Sequence, residues 1–318
     1  MPRAEKVLIE GVRRQAERTG QRGAVRVGIG DDCAVLGLPR GHEALITTDF
    51  SLEGVHFRRD WHAPEVVGHR CLTRGLSDIA AMGGGPVAAF LSLALPARLP
   101  QKWVDGFVRG LIALAKQFDV PLAGGDTAQS PGRILADIVV IGSVPKGKAI
   151  LRSGAKVGES IYVTGQLGGS AAVIDGLRRG KRMRAKDYPV HFHPMPRVEI
   201  GRVLRKRQWA SAMIDISDGL STDLGHICEE SGVGAEIVAE AIPVAGVGKP
   251  PHEIDLNYAL HGGDDYELLF TSRALVPTQI EGVAVTRIGR VVRGKRMTLL
   301  RNGRPLELKA KGWQHFEN

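Results

Sequence analysis

The aspartates of this sequence fall where apolar runs stop. Asp31 and Asp32 follow Gly28-Ile29-Gly30, Asp49 directly follows Ala44-Leu45-Ile46-Thr47-Thr48, and Asp126 follows Leu122-Ala123-Gly124-Gly125. Asp78 stands toward the end of a helical stretch, just before Gly83-Gly84-Gly85, and Asp215 and Asp218 bracket Ile216-Ser217 at a strand-to-helix junction. One acid at a turn is ordinarily a solvated side chain or a cap. A series of them beside glycines has a chemical use. Hard cations such as Mg2+ need several oxygen ligands, which carboxylates at one edge of a sheet can supply. Glycine lets backbone amides and a bulky anion come close. Transfer of a phosphoryl group between two anions requires this arrangement, because bridging metals remove the repulsion and absorb developing charge. The expectation is a metal cage built from acids on scattered Gly-Asp turns, with Asp126 a ligand rather than a general base.

Competing chemistry finds little support. Gly28-Ile29-Gly30 begins a dinucleotide fingerprint, but Cys33 stands where its last Gly belongs. The chain has no GxxxxGK[ST], GxSxG or HExxH. His191-Phe192-His193, flanked by Pro and a basic stretch, reads as surface. Gly165-Gln166-Leu167-Gly168-Gly169-Ser170, between a strand and a helix, is either an anion-binding helix start or an ordinary capped turn. Ser217 or Asp218 is placed to cap the helix that follows.

The elements that must position these residues alternate between short apolar runs and amphipathic stretches. Strands are expected at 43–48, 87–95, 134–144, 160–164, 211–216, 266–271 and 283–292. Helices are expected at 64–82 and 101–118, and a hairpin over 297–308 turns at Asn302-Gly303. The fold class is α/β, more broadly α+β. A boundary near Pro145-Lys146-Gly147-Lys148 divides the chain into 1–147 and 148–318.

At 318 residues, 43% hydrophobic and 24% charged, the chain can bury a sizeable core and is not disordered. Cys33, Cys71 and Cys228 form no CxxC pair, which argues for reduced thiols. With no apolar leader or membrane-length run, the expected location is cytoplasmic, with no membrane partner. A net charge of +9 has one focus in Arg178-Arg179-Gly180-Lys181-Arg182-Met183-Arg184-Ala185-Lys186. Aromatics are only 5% and no nucleic-acid-binding motif accompanies that segment, so it reads as a solvated face rather than a nucleic-acid surface.

Taken in order, Gly28-Ile29-Gly30-Asp31-Asp32-Cys33-Ala34, Thr47-Thr48-Asp49 through Glu53-Gly54-Val55-His56-Phe57, Leu76-Ser77-Asp78-Ile79-Ala80-Ala81-Met82-Gly83, Gly124-Gly125-Asp126-Thr127, Leu151-Arg152-Ser153-Gly154-Ala155, Asp215-Ile216-Ser217-Asp218-Gly219-Leu220 and Asp265-Tyr266-Glu267-Leu268 resemble the blocks of the thiamine-monophosphate kinase family. The resemblance runs from about residue 27 to the C-terminus. Single blocks resemble only the wider superfamily that includes aminoimidazole ribonucleotide synthetase and selenophosphate synthetase.

The resemblance implies two mixed α/β domains like those of aminoimidazole ribonucleotide synthetase. The N-terminal domain would bind ATP and Mg2+ and pair in a homodimer, and the C-terminal domain would complete the substrate site. It implies direct in-line transfer from ATP to thiamine monophosphate, giving thiamine diphosphate without a catalytic nucleophile. Carried over by position, Asp32, Thr48, Asp49, Asp78, Asp126 and Asp215 would hold several Mg2+ ions, with Asp218 on a further ion and Thr47 a lesser candidate. Gly125, Asp126, Arg152 and Ser217 would contact ATP; His56, Asp264 and Trp313 would contact the acceptor. A monovalent-cation requirement stays open. Asp264 stands where the family usually has Glu, one methylene longer. Two alternatives remain: a superfamily enzyme with another acceptor, and a non-catalytic basic nucleotide- or nucleic-acid-binding protein.

Overall fold

The computed structural model describes residues 2, 5–17, 24–248, 251–313 and 316. The chain divides into two compact units: Met1–Ile79 with Gly84–Gly147, and Ala80–Gly83 with Lys148–Asn318. Each is a mixed α/β assembly, as the sequence led us to expect.

The first unit contains α1 (Glu5–Glu17), β1 (Val25–Val27), β2 (Val35–Leu36), β3 (His42–Leu52), α2 (Pro64–Ala81), β4 (Gly85–Pro96), α3 (Gln101–Gln117), β5 (Leu122–Ser130) and β6 (Leu135–Pro145). Its main sheet has the order β3-β6-β4-β5. Only β4 and β5 are parallel, joined through α3 as a parallel pair requires a crossover. Strand β6 alternates strictly, burying Ala136, Ile138 and Val140 while Asp137, Val139 and Ile141 stay half-buried on the opposite face. The buried side meets helices: Gly75 of α2 lies against Val140 and Thr47, and α3 buries Phe107, Leu111 and Leu114 at helical spacing. The other side carries exposed Ile46 and Phe50 of β3, at 70% and 54% of full exposure.

The second unit contains β7 (Ser160–Thr164), α4 (Gly169–Arg178), α5 (Pro189–Phe192), α6 (Val198–Arg207), β8 (Ala212–Ile216), α7 (Leu220–Ser231), β9 (Gly234–Val238), β10 (Gly246–Val247), β11 (His252–Glu253), α8 (Leu256–His261), β12 (Glu267–Ser272), β13 (Gln279–Ile280), β14 (Val283–Val292), β15 (Met297–Arg301) and β16 (Arg304–Glu307). The main sheet runs β16-β15-β9-β14-β7-β12-β8, with β13 paired to β14. All neighbours are antiparallel except β15 and β9. Strands β8 and β12 are buried along their whole length. Although β8 ends the order, its backbone is covered: Met213 N–H donates to Leu151 O at 3.1 Å, ahead of the short turn Arg152–Gly154. Ile161, Val163, Ile214, Ile216, Leu224 and Ile227 form the centre of this core.

Three expectations need correction. Asp49 and Asp126 are not on turns: β3 runs on to Leu52, and Asp126 lies within β5, where no strand was expected. Gly124-Gly125 looks like a turn in the sequence, but here it serves close strand approach. Gly125 has φ +148°, and a Cβ there would stand 1.8 Å from Leu91 O. His191 is not on the surface; it is fully buried and shares a 2.8 Å hydrogen bond with the buried Ser170 hydroxyl. The Asn302-Gly303 hairpin forms as expected, with φ of 49° and 72° at its two turn residues.

Candidate active site

In the first unit, strand pleating sorts the acids onto two faces. Thr47 and Asp49 share the helix-covered side of β3, where Thr47 donates its hydroxyl to Asp78 of α2. Asp49 is hydrogen-bonded to Asp78 as well. Burial first, and then the Asp78 charge, push the Asp49 carboxyl up to about 7 against the opposing pull of Arg74. A rise of that size corresponds to on the order of 4 kcal/mol disfavouring the charged form. Nearby positive charge, such as a divalent cation, is what would hold both carboxyls ionised.

Thr48 points to the opposite face, donating its hydroxyl to Asp137 Oδ1 at 2.7 Å. The strand register extends this group into a row: Asp137 stands across from Ser92 of β4, and Ser92 across from Asp126 of β5. Asp137 was missed in the sequence, where it showed only as a break in the apolar run 134–144. A lone acid inside an otherwise apolar strand was the signal available.

Asp126 also edges a cavity of about 610 Å3, within the usual ~300–1,000 Å3 of small-molecule sites. Ile9 and Val12 of α1, Phe90 and Leu93 supply apolar walls, and Asp31, Asp32 and Gly124 to Thr127 supply the polar side. Asp31 Oδ1 accepts from Asp32 N–H at 2.9 Å, and Asp126 Oδ1 from Thr127 N–H at 2.8 Å, so both carboxylates are oriented by their own turn or strand. His56 lies after β3, its Nδ1 accepting from Leu52 N–H at 3.0 Å; that bond puts the ring proton of the neutral form on Nε2.

In the second unit, Asp215 is buried at the end of β8, and Ser217 and Asp218 form the turn into α7. Neither Ser217 nor Asp218 caps that helix. Asp223, one turn in, accepts from Asp218 N–H at 3.2 Å and Gly219 N–H at 3.0 Å. Burial drives the Asp223 carboxyl well above its ordinary range, with Asp215 and Asp218 adding to it. Asp218, Asp223 and His226 each bring one ligand atom within 4.8 Å of the others. Trp313 N–H donates to Asp218 O at 3.0 Å, and Asp264 N–H to Ser217 O at 2.8 Å, so both acceptor candidates border this one turn. Arg152 begins the short turn beside β8 and is exposed.

The Gly165–Ser170 turn holds no vacant anion site. The Asp265 carboxylate already occupies the start of α4, accepting from Gly168 N–H at 2.7 Å. Glu267 is equally internal, taking Arg197 Nε–H at 2.7 Å and the Thr164 hydroxyl at 2.6 Å, with a second Arg197 contact at Oε1. Of the motif Asp265-Tyr266-Glu267-Leu268, these two acids therefore build the fold.

The donors on the first unit are all oxygen: Thr47, Asp49 and Asp78 on one face, Thr48, Asp126 and Asp137 on the other. That chemistry suits Mg2+. Residues 30–144 match the family described as AIR synthase related protein, N-terminal domain, and residues 156–301 match its C-terminal domain. Fold and acid distribution thus define a two-domain protein of the AIR synthase-related class. Within that class, the thiamine-monophosphate kinase of Salmonella typhimurium is 38% identical over 309 residues, covering 92% of either chain. The crystal structure of thiamine-monophosphate kinase from Stenotrophomonas maltophilia K279a is 34% identical, with a TM-score of 0.80 over 96% of this chain and 99% of that one. A structure described as AaThiL complexed with AMPPCP and TMP is 31% identical, with a TM-score of 0.75 over 99% of each chain. The chain belongs to the thiamine-monophosphate kinase family, and its enzyme class is that of a phosphotransferase with a phosphate acceptor.

Proposed function

We propose that this chain phosphorylates thiamine monophosphate from ATP, releasing thiamine diphosphate and ADP. An oxygen of the acceptor's phosphate forms a bond to the γ-phosphorus in line with the bond to the β-phosphate, which breaks as ADP leaves. The observation that carries the proposal is the row Asp126–Ser92–Asp137 with Thr48, whose end at Asp126 stands with Asp31 and Asp32 on the lining of an apolar-walled cavity. Acids at a rim suit metal-bound phosphates, and apolar walls suit a flat base. Relatives of this family, one of them with AMPPCP and TMP bound, support the same reading.

In this reading residues 1–147 bind ATP and Mg2+, and residues 148–318 complete the substrate site. Asp32, Thr47, Thr48, Asp49, Asp78, Asp126, Asp215 and Asp218 hold Mg2+ ions, which neutralise the phosphate oxygens when bound. Gly125 contacts the phosphate through its backbone, Arg152 offers it a planar fork, and Ser217 a hydroxyl. His56, Asp264 and the Trp313 ring hold the acceptor, the ring by packing on a flat heterocycle.

The exposed Ile46 and Phe50, on the side of β3 away from the helices, support a homodimer paired through that face. Among the described residues, no helix is long and apolar enough to cross a membrane. We place the protein in the cytoplasm. Incubating it with ATP, Mg2+ and thiamine monophosphate and separating the products by chromatography tests the function: thiamine diphosphate should accumulate. Turnover of a different acceptor in its place would remove the acceptor assignment.

A further inference from the structure

The segment 263–266 has an unusual backbone. Asp264 and Tyr266 both have positive φ, 64° and 54°, a conformation that an aspartate tolerates and a bulky aromatic seldom adopts. Two backbone hydrogen bonds hold it there: Asp264 N–H to Ser217 O at 2.8 Å and Tyr266 N–H to Ile216 O at 2.9 Å. Gly263 presses so closely on this turn that a Cβ would stand 2.4 Å from Ser217 O. The result is three successive side chains with three separate directions. Asp265 turns inward to the start of α4, and the Tyr266 ring is buried, with 1% of its surface exposed. Its hydroxyl then doubles back to donate to Asp264 Oδ1 at 2.6 Å.

Packing alone does not need that hydroxyl on a half-buried carboxylate, because a phenyl ring would fill the same space. What the bond does is fix the orientation of Asp264, whose N–H holds Ser217 O of the same turn that Trp313 N–H holds at Asp218 O. We propose that Tyr266 is a positioning residue: its hydroxyl sets the Asp264 carboxylate to receive the amino-substituted, cationic heteroaromatic part of the phosphate acceptor. The pair selects the acceptor and leaves ATP binding alone. This proposal rests on the kinase reading and on Asp264 facing the acceptor.

The test compares Tyr266→Phe, Asp264→Asn and the double variant, each with KM for thiamine monophosphate, KM for ATP, kcat and Tm. Tyr266→Phe should raise KM for thiamine monophosphate about tenfold, the scale of one hydrogen bond to a charged group. KM for ATP should stay within about twofold, because uniform binding of the acceptor alone is lost. Adding Tyr266→Phe to Asp264→Asn should change nothing further, the signature of two residues acting as one unit. An unchanged acceptor KM in Tyr266→Phe, full additivity in the double variant, or a collapse of Tm overturns the proposal, the last by showing that the hydroxyl serves folding. An unchanged acceptor KM in Asp264→Asn overturns it by removing Asp264 from the site. Absence of any turnover by the unsubstituted protein overturns the kinase reading together with it, so the two failures are told apart.

Discussion

Asp137 takes the Thr48 hydroxyl at 2.7 Å, across the pair of strands that ends the first unit's sheet. This bond ties an expected metal-site residue to an acid that no motif pointed to. From the neighbouring strand β6, Asp137 also adds negative charge near Asp49, which lies on the opposite face of β3 from Thr48. Under the proposed function, Asp137 would orient Thr48 and raise the negative potential that draws Mg2+.

Asp137→Asn should therefore lower kcat about tenfold or more at fixed Mg2+, the usual cost of losing a group that orients a metal ligand. Raising Mg2+ should recover part of the loss. Steady-state rates over a Mg2+ titration check this; rates equal to the unsubstituted protein at every concentration would confine Asp137 to a structural role.

Gly125→Ala probes the strand that carries Asp126. With φ +148° and only 1.8 Å between a Cβ and Leu91 O, the substitution forces β4 and β5 apart. A cost of about 2–4 kcal/mol is expected for strain at such a site. Thermal unfolding should show a clear drop in Tm, and a Tm unchanged from the parent would contradict the register drawn here.

These two sites show how much was legible in the sequence. The helices 64–82 and 101–118 announced themselves by an apolar period that matches the face they bury, and the strands 160–164 and 283–292 by short apolar, β-branched runs. Asp78 near the end of α2 and Asp218 before α7 were placed from local chemistry alone. Asp126 was not: Gly124-Gly125 has the composition of a turn, and only the approach of Leu91 from the neighbouring strand gives it a place in β5. The Asp126–Ser92–Asp137 row is a product of register between strands distant in sequence, which no local pattern encodes. The Gly165–Ser170 turn left two readings open for a related reason, since the carboxylate that fills it comes from Asp265, 97 positions away.

Asp265 gives stability a pH dependence. Burial drives its carboxyl well above the ordinary range, and its Oδ1 has no hydrogen-bond partner. The folded-state pKa therefore exceeds the unfolded value of about 3.9. The favourable contribution is complete below that unfolded value and is lost as pH rises toward the folded one. Asp265→Asn should flatten this fall and be more stable than the parent at neutral pH, by on the order of 1–3 kcal/mol. Urea unfolding across a pH series checks the sign; a parent whose stability rises with pH, with the variant parallel to it, would show the opposite linkage.

The exposed apolar side chains of β3 predict an oligomeric state. Phe50 is 54% exposed and Ile46 70%, on the side of β3 away from the helices. Phe50→Asp should convert a dimer into a monomer with its fold intact, as a charge placed in an apolar interface must be desolvated. Sedimentation velocity separates the species; a monomeric parent, or a dimeric Phe50→Asp protein, would place pairing elsewhere or remove it.

Under the proposed function, ATP transfers its γ-phosphate directly to thiamine monophosphate at the carboxylates of the first unit. ATP labelled in its γ-phosphate, incubated with the protein, Mg2+ and thiamine monophosphate, follows the transferred group itself. The label should appear in thiamine diphosphate with one ADP formed per product, and Asp126→Asn should lower the rate by about a hundredfold or more while remaining folded. Label released as inorganic phosphate, or an Asp126→Asn protein with the parent's rate, would contradict the account.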